Sequence, residues 1–249
     1  MKLLRAGLLG SLLAATVAAA DVDALLREAQ AAEARLDSRR ALELFLQADA
    51  AKPDDAFILQ KIARQYSDLT TEQAAVEEKK RYAQTALDYA LRAVARDPQN
   101  PVNVLSLAVC HGKLAVYSDT RTKVRYSRLV KEEAERALTL DPNYAWAHHI
   151  LGRWHHEVAS LGVTARWAVR LFYGGLPDAS PEEAIRHLER AVELEPGELN
   201  HHLELGFAYA AAKRQSDAER AWQRGLAMPD RGRHDTAAKQ RVRNALEPL

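Results

Sequence analysis

The sequence predicts an all-α fold, a tetratricopeptide-like α-solenoid of about five helix pairs with enlarged inserts within its repeats. Apolar residues recur with helical spacing along the chain, and no stretch alternates apolar and polar residues over the length of a strand. A large–small pair, Leu151-Gly152, precedes a helix with the pattern Ala184-x3-Leu188-x2-Ala191-x4-Pro196. This pattern is typical of a tetratricopeptide repeat, because small residues allow two antiparallel helices to cross closely.

The same pattern returns along the chain, and a proline closes each unit. These prolines are Pro53, Pro98, Pro142, Pro196 and Pro229, which are 45, 44, 54 and 33 residues apart. The standard repeat is about 34 residues long. The second, third and fourth units therefore carry extra residues, which we expect to form inserts between their first and second helices.

The first two predicted pairs occupy residues 21–97. The first pair begins with a helix to about residue 36, and Ser38 caps a second helix that ends near Ala51. The second pair begins at about Ala56. A polar insert of residues 67–80 separates its first helix from a second helix over residues 82–95.

Three further pairs and a terminal helix follow. Pro101 is a favourable first residue for the third pair, whose insert includes residues 117–123. The fourth pair has the longest insert, residues 158–180, with an amphipathic helix that Gly174-Gly175 terminates and a new helix that Ser180 caps. After the fifth pair, residues 234–246 form the polar-faced cap that a repeat array needs.

Residues 1–20 are predicted to be a signal peptide. Lys2 and Arg5 precede an apolar run that ends in small residues at Ala20, where cleavage is expected. The alternative is an uncleaved membrane anchor or an organelle-targeting segment, although the run is short for the ~20 apolar residues of a spanning helix. Residues 21–249 then form the repeat domain, in a periplasmic or secreted protein.

The charge balance and motifs argue against several classes of function. Loss of Lys2 and Arg5 leaves 33 basic against 34 acidic residues, so we expect no nucleic-acid partner. The sequence has neither a Gly-x-Ser-x-Gly elbow nor a phosphate-binding loop. Cys110 lies in an apolar helical run and is expected to be buried. We therefore predict no catalytic residues and no cofactor.

Four histidines on one predicted helix raise the question of a metal. They are His148, His149, His155 and His156. No two of them are four residues apart, and the His-Glu-x-x-His pattern is absent, so we expect no metal site. A metal-binding or enzymatic protein that uses the His148–His156 cluster is the least favoured alternative.

The predicted first helices supply a candidate peptide groove, since one layer of helices lines the concave side of a stacked array. The groove candidates are Gln60, Arg64, Trp146, His149, Arg153 and His156. Arginine, imidazole and indole groups suit an acidic or aromatic peptide segment. Alternatively, the inserts fill the groove with their own apolar residues, such as Trp167 and Phe172.

The layout of the fourth unit resembles one family. Its first helix ends near Leu151-Gly152-Arg153-Trp154, a basic aromatic helix follows at residues 166–172, and Glu182-Glu183-Ala184 opens the next helix. Over roughly residues 40–245 the chain resembles the regulator of microtubule dynamics family. The resemblance implies a tetratricopeptide-like helical domain with enlarged units and no catalytic residues. For animal members it implies non-enzymatic adaptors at microtubules or membrane contact sites.

We therefore expect a non-enzymatic scaffold that binds a protein or peptide in its concave groove and contacts no membrane after signal cleavage. Export would exclude a microtubule role. If the N-terminal segment is retained, the alternative is a microtubule-associated or membrane-tethering adaptor, with tubulin as a partner in the cytosol.

Overall fold

A computed structural model describes residues 22–247, which fold into helices without any strand. The chain divides into two compact units, one ending at Asp97 and one beginning at Pro98. The helices of the first unit are α1 (22–34), α2 (Ser38–Ala51), α3 (Ala56–Leu69), a 3-10 turn (Thr70–Glu72) and α4 (Val76–Arg96). Those of the second unit are α5 (Pro101–Val116), α6 (Thr120–Leu140), α7 (Ala145–Ala159), α8 (Val163–Tyr173), α9 (Pro181–Leu194), α10 (Leu199–Ala211), α11 (Gln215–Ala227) and α12 (Asp235–Leu246).

The first unit packs its helices around a small aliphatic and aromatic core. Phe45 of α2 and Ile58 and Ile62 of α3 are fully buried in it, together with Ala29 and Ala32 of α1. The alanines allow α1 to lie close to its neighbours, and the larger side chains fill the space between the helices. These contacts form the first pair and join it to the second.

The second unit contains three helix pairs and a terminal helix. The pairs are α5 with α6, α7 with α9, and α10 with α11. The first helices also contact one another, α7 lying between α5 and α10, and α12 packs against α10. The first helices thus form one layer, as expected of a tetratricopeptide-like solenoid.

Glycines lie where the helices of a pair cross. A Cβ atom on Gly152 would lie 2.5 Å from Cγ of Leu188, and one on Gly206 would lie 2.3 Å from the indole of Trp222. Trp222 also donates a hydrogen bond from Nε1 to the carbonyl oxygen of Leu203, at 3.1 Å. The Leu151-Gly152 signature therefore marks a real close approach, as the sequence pattern predicted.

The extra residues of the second and third pairs are mostly helical. The second helices α4 and α6 are 21 residues long, whereas α2 and α9 are 14 residues long. The expected inserts are therefore largely additional turns at the start of the second helix. Glu77 and Glu78 lie in the first turn of α4, where acidic side chains interact favourably with the helix dipole.

The fourth insert forms α8, which packs against α6. Its predicted end is confirmed, since Gly174 has a φ of 77° and terminates the helix. Arg128 of α6 donates hydrogen bonds to the carbonyl oxygens of Tyr173, the last residue of α8, and of Gly175 just beyond it. A cation at this position satisfies carbonyl groups that the helix leaves without partners.

Most predicted helix ends are correct, and one cap differs. Ser180 accepts a hydrogen bond from the backbone N–H of Glu183 at 3.1 Å, and Pro101 begins α5, as expected. The cap of α2 is Asp37 instead of Ser38, because the Asp37 carboxylate accepts from the N–H of Arg40 at 3.1 Å. Adjacent Asp and Ser residues are both good caps, so sequence alone could not separate them.

The predicted signal peptide, residues 1–20, lies outside the described residues. Within residues 22–247, no helix combines the length and apolar character that crossing a membrane requires.

The crossing at Gly206 gives a test of the fold. Gly206→Ala is expected to lower the free energy of unfolding by about 1–2 kcal/mol, because displacement of the Trp222 indole outweighs the better helix propensity of alanine. Urea unfolding followed by tryptophan fluorescence reports on this unit, since all four tryptophans lie in it. Gly197→Ala is the control, as its Cβ would meet no atom within 4 Å. Equal stability of the two variants would contradict the packing account.

Candidate functional site

The predicted groove residues fall into the two compact units. Gln60 and Arg64 lie on α3, whereas Trp146, His149, Arg153 and His156 lie on α7. Each set is described by itself.

On α3, the predicted residues lie near an acidic side chain of the first unit. Gln60 is half-buried and Arg64 is exposed. The Nε atom of Arg64 is 3.7 Å from Oε1 of Glu33, which also accepts a hydrogen bond from Gln65 at 2.9 Å, while Lys61 contacts the other oxygen at 2.6 Å. Glu33 thus contacts several polar side chains of α3, and Arg64 is the most exposed of them.

On α7, Trp146 and His149 form an aromatic cluster with His201 of α10. The Trp146 ring lies 5.0 Å from the His149 ring and 4.9 Å from the His201 ring. His149 is only 4% exposed, and its Nδ1 is 3.0 Å from Nδ1 of His201. The half-buried Trp146 is therefore the member of the cluster that a partner could contact, and the buried His149 ring packs against it.

Arg153 belongs to a charged cluster that joins α7, α10 and α12. Arg153 donates a hydrogen bond to Glu157 at 2.8 Å, and its Nε is 3.7 Å from Oε1 of Glu204. Arg241 of α12 donates to the same Glu204 oxygen. Glu204 is 8% exposed, and His156 lies beside the cluster with a pKa that burial lowers. Two guanidinium groups therefore share one buried carboxylate.

Further residues on these helices were missed by the sequence analysis. The Arg241 guanidinium lies 4.3 Å from the ring of Phe207, within the range of a cation–π contact. On α5, Val102 and Val109 remain exposed. They occupy the register of Trp146 and Arg153, 44 residues earlier in the chain. Extending the groove register to every first helix would have found the two valines.

We call the surface formed by these residues the first-helix face. It consists of Val102, Val109, Trp146, Arg153, Phe207 and Arg241. The face combines exposed aliphatic groups, aromatic rings and two arginines, a combination that is typical of protein-binding surfaces.

The helix of the fourth insert, α8, does not lie on the first-helix face. Helix α8 packs against α6, a second helix, and leaves Trp167 63% and Phe172 66% exposed. These two side chains therefore do not cover the first-helix face in this structure.

A separate histidine cluster lies between α7 and α9. Nδ1 of His148 is 2.9 Å from Nδ1 of His187, and the rings of His155 and His187 stack with centroids 5.8 Å apart. Glu183 lies one turn before His187 on α9. The metal hypothesis drawn from the sequence concerned the histidines of α7, so the proximity of Glu183 and His187 on α9 to His155 was not predicted.

Burial sets the protonation of the buried histidines. It lowers the pKa of His187 to about 4, with Arg186 adding to the effect, and lowers that of His201 to about 4. The pKa of His149 falls well below its usual range, again mainly through burial. These imidazoles are neutral at pH 7. By contrast, burial raises the pKa of the Cys110 thiol to about 12, so this cysteine is not a nucleophile at neutral pH.

These shifts predict acid sensitivity. In the unfolded chain, His187 and His201 gain protons at the ordinary histidine pKa of about 6.5, whereas in the folded chain they do not until about pH 4. The free energy of unfolding therefore falls as the pH drops between these values. We expect a loss of roughly 1 kcal/mol for each of His187 and His201 between pH 6.5 and 5.5, and the lowered pKa of His149 acts in the same direction. Urea midpoints at the two pH values measure it.

Two carboxyl groups have the opposite effect on the free energy of unfolding and raise it as the pH falls. Burial raises the pKa of Glu133 and Glu195, so their protonation favours the folded chain as the pH falls. The control is the double variant His149→Gln, His201→Gln, which should show a shallower pH dependence. A urea midpoint that stays constant or rises from pH 6.5 to 5.5 would contradict the account.

The chain matches a family model over almost its whole length. The model, described as Regulator of microtubule dynamics protein 1-3, matches residues 20–249. Regulator of microtubule dynamics protein 3 of Xenopus laevis is 30% identical over 159 residues, which are 64% of this chain and 34% of the relative. Protein 2 of Homo sapiens is 25% identical over 197 residues, 79% of this chain and 48% of the relative. The chain thus spans about a third to a half of the length of these relatives.

Solved structures show the same fold. A thermophilic tetratricopeptide-repeat protein of Thermus thermophilus aligns with a TM-score of 0.68 at 19% identity, over 90% of this chain and 98% of that one. A MamA structure from Desulfovibrio magneticus aligns with a TM-score of 0.52 at 14% identity, over 83% and 93% of the two chains. At such identities the likeness concerns the fold alone.

Proposed function

Because the chain belongs to the regulator of microtubule dynamics family and folds as a tetratricopeptide-like helical protein, we propose that it is a non-enzymatic scaffold that binds a protein partner. The first-helix face is the proposed binding surface. The observation that carries this proposal is the charged cluster on this face, where Arg153 and Arg241 share one buried carboxylate, Glu204.

The chemistry of the face favours an acidic peptide segment with apolar residues. The side chains of Arg153 and Arg241 are 39% and 47% exposed, so their guanidinium groups can donate to a carboxylate of a partner while Glu204 holds them in place. Trp146 and Phe207 offer aromatic surface beside them, and Val109 adds an aliphatic contact. Such a mixed face binds through a few anchoring side chains.

The two arginines give a direct test. Fluorescent twelve-residue peptides that vary in acidic and aromatic content serve as probes, and binding to the full chain is measured by polarisation. Arg241→Gln is expected to weaken binding of acidic peptides roughly tenfold or more, because a charged hydrogen bond contributes about 1.5–3 kcal/mol. Arg153 remains to pair with Glu204, so the melting temperature should change little.

The matched control is Arg220→Gln, which removes an exposed arginine from α11, a second helix, where Arg220 pairs with Asp217. Binding by this variant should equal that of the parent chain. The proposal fails if acidic peptides bind no better than neutral ones, or if Arg220→Gln weakens binding as much as Arg241→Gln.

For localisation, we propose export to the periplasm or outside the cell, with cleavage after Ala20. The support is the sequence of the first 20 residues, in which Lys2 and Arg5 precede an apolar run. The intact mass and N-terminal residue of the protein recovered from each cell fraction test it. A chain that starts at Met1 on a membrane facing the cytosol would replace this proposal with the membrane-anchored or organellar alternative.

The second candidate function is a microtubule-associated or membrane-tethering adaptor that retains its N-terminal segment. The curated relatives are named for microtubule dynamics, so co-sedimentation of the full chain with purified microtubules tests the microtubule association.

The observation that favours membrane tethering is the surface of α8. This helix exposes Val163, Trp167 and Leu171 along one side, with Arg166 and Arg170 beside them. Amphipathic helices of this composition lie in the interface of anionic membranes.

A vesicle assay tests the role of α8. If it contacts membranes, the full chain sediments with vesicles of phosphatidylcholine and phosphatidylserine, and Trp167→Ser reduces the bound fraction severalfold because it removes the largest exposed apolar side chain. Val116→Ser is the control, since Val116 is 68% exposed on α5. Equal binding by both variants, or no binding by the parent chain, would rule out a membrane role for α8.

A further inference from the structure

A cluster of two histidines and a glutamate lies between α7 and α9. Glu183 and His187 are four residues apart on α9 and so lie on the same side of that helix. His155 reaches them from α7. One ring nitrogen of each histidine and one carboxylate oxygen of Glu183 all lie within 4.8 Å of one another. This combination of nitrogen and oxygen donors, drawn from two packed helices, resembles the inner ligands of a transition-metal centre.

Hydrogen bonds fix which nitrogen of His187 carries its proton. Nε2 of His148 lies 3.1 Å from the carbonyl oxygen of Pro142, which can only accept, so His148 is protonated at Nε2. In the neutral ring, Nδ1 of His148 is then an acceptor. Its contact of 2.9 Å with Nδ1 of His187 requires His187 to donate from Nδ1. Nε2 of His187 therefore presents a lone pair.

The orientation of His187 matches what metal ligands need. A histidine that binds a metal through one nitrogen normally donates the other N–H to a second group, which fixes the ring. Here His148 accepts from His187, and Pro142 in turn accepts from His148. The Nε2 atom that is left with a lone pair lies 3.9 Å from Oε2 of Glu183.

His155 supplies an independent observation. The residue is 7% exposed, and its buried Nδ1 has no hydrogen-bond partner within residues 22–247. Leaving a buried polar atom unpaired costs about 1–3 kcal/mol, so each such atom calls for a ligand or another explanation. The His149–His201 pair also has a carboxylate nearby, since Oε2 of Glu195 is 3.7 Å from Nε2 of His201. Among the described residues, however, only His155, Glu183 and His187 bring three donors all within 4.8 Å of one another.

The side chain of Arg186 already places a positive charge beside Glu183 and His187. Arg186 donates to the Glu183 carboxylate, and its Nη2 lies 3.4 Å from Nε2 of His187. The Arg186 side chain is 63% exposed, so it can move into solvent. Its guanidinium stands where a cation would interact with both donors, and it would compete with an incoming ion.

We propose that His155, Glu183 and His187 form a binding site for one divalent transition-metal ion of the zinc type, with His148 as the residue that orients His187. Two imidazoles and one carboxylate suit Zn²⁺ better than Mg²⁺ or Ca²⁺, which prefer oxygen ligands. Ligand atoms around tetrahedral zinc are about 3.4 Å apart. The half-exposed Glu183 carboxylate, with a side chain 43% exposed, can close the remaining distance and leaves the site open to solvent.

Calorimetric titration of the full chain with ZnCl₂ tests the site. The protein is purified without a polyhistidine tag and freed of metal with a chelator. We expect one ion per chain. Glu183→Gln, His155→Asn and His187→Asn should each weaken zinc binding at least ~10-fold. Circular dichroism verifies the fold of each variant, and Glu183→Gln changes a half-exposed side chain, so at least one test does not depend on a buried position.

Two further variants sharpen the test. Arg186→Ala should tighten zinc binding, because it removes the competing cation. His156→Asn should leave binding unchanged, because it removes the histidine adjacent to His155 but outside the cluster. The proposal is overturned if the parent chain binds no zinc, if the three ligand variants bind as tightly as the parent chain, or if His156→Asn alone abolishes binding.

Discussion

The close crossing of paired helices is the constraint on which the second unit depends. At Gly152 and Gly206, the absence of a side chain allows Leu188 and Trp222 to lie directly against the opposite backbone. This contact sets the spacing of the two helices in each pair, and the pair in turn sets where the next first helix lies. The outward side chains of α5, α7 and α10 are therefore placed by packing on the opposite side of the same helices. The geometry of the first-helix face, on which the proposed binding depends, is therefore coupled to the stability of the crossings through these helices.

The parts of the fold set by local packing could be predicted from the sequence. Leu151-Gly152, the repeated small residues and the closing prolines identified the helix pairs, because each reports a contact within one unit of the repeat. The extra residues of the second and third pairs were read as inserts, although they extend α4 and α6 into 21-residue helices. The sequence does not reveal this extension because the extra residues are polar. A long second helix that projects into solvent keeps few apolar residues on its first turns, so it lacks the apolar periodicity that predicts a helix.

The candidate site was harder to predict, because its key contacts join distant positions. Arg153 was found from its register, but its partner Glu204 lies on α10, and Arg241 of α12, which pairs with the same carboxylate, is further along the chain. His149 was placed in the groove, yet it is buried against His201, 52 residues away. Two adjacent histidines, His148 and His149, thus pair with different helices, α9 and α10. Periodicity places a residue on a face, whereas only the packing decides whether a neighbour covers it.

The central claim is that the first-helix face is where a protein partner binds. The most direct measurement places a photo-crosslinking amino acid at Val109 on that face, at Arg220 on α11 or at Trp167 on α8, in cells that produce the protein. The account predicts crosslinked adducts with a protein from position 109 and none from position 220. Adducts from position 167 alone, or equal yields at 109 and 220, would contradict it.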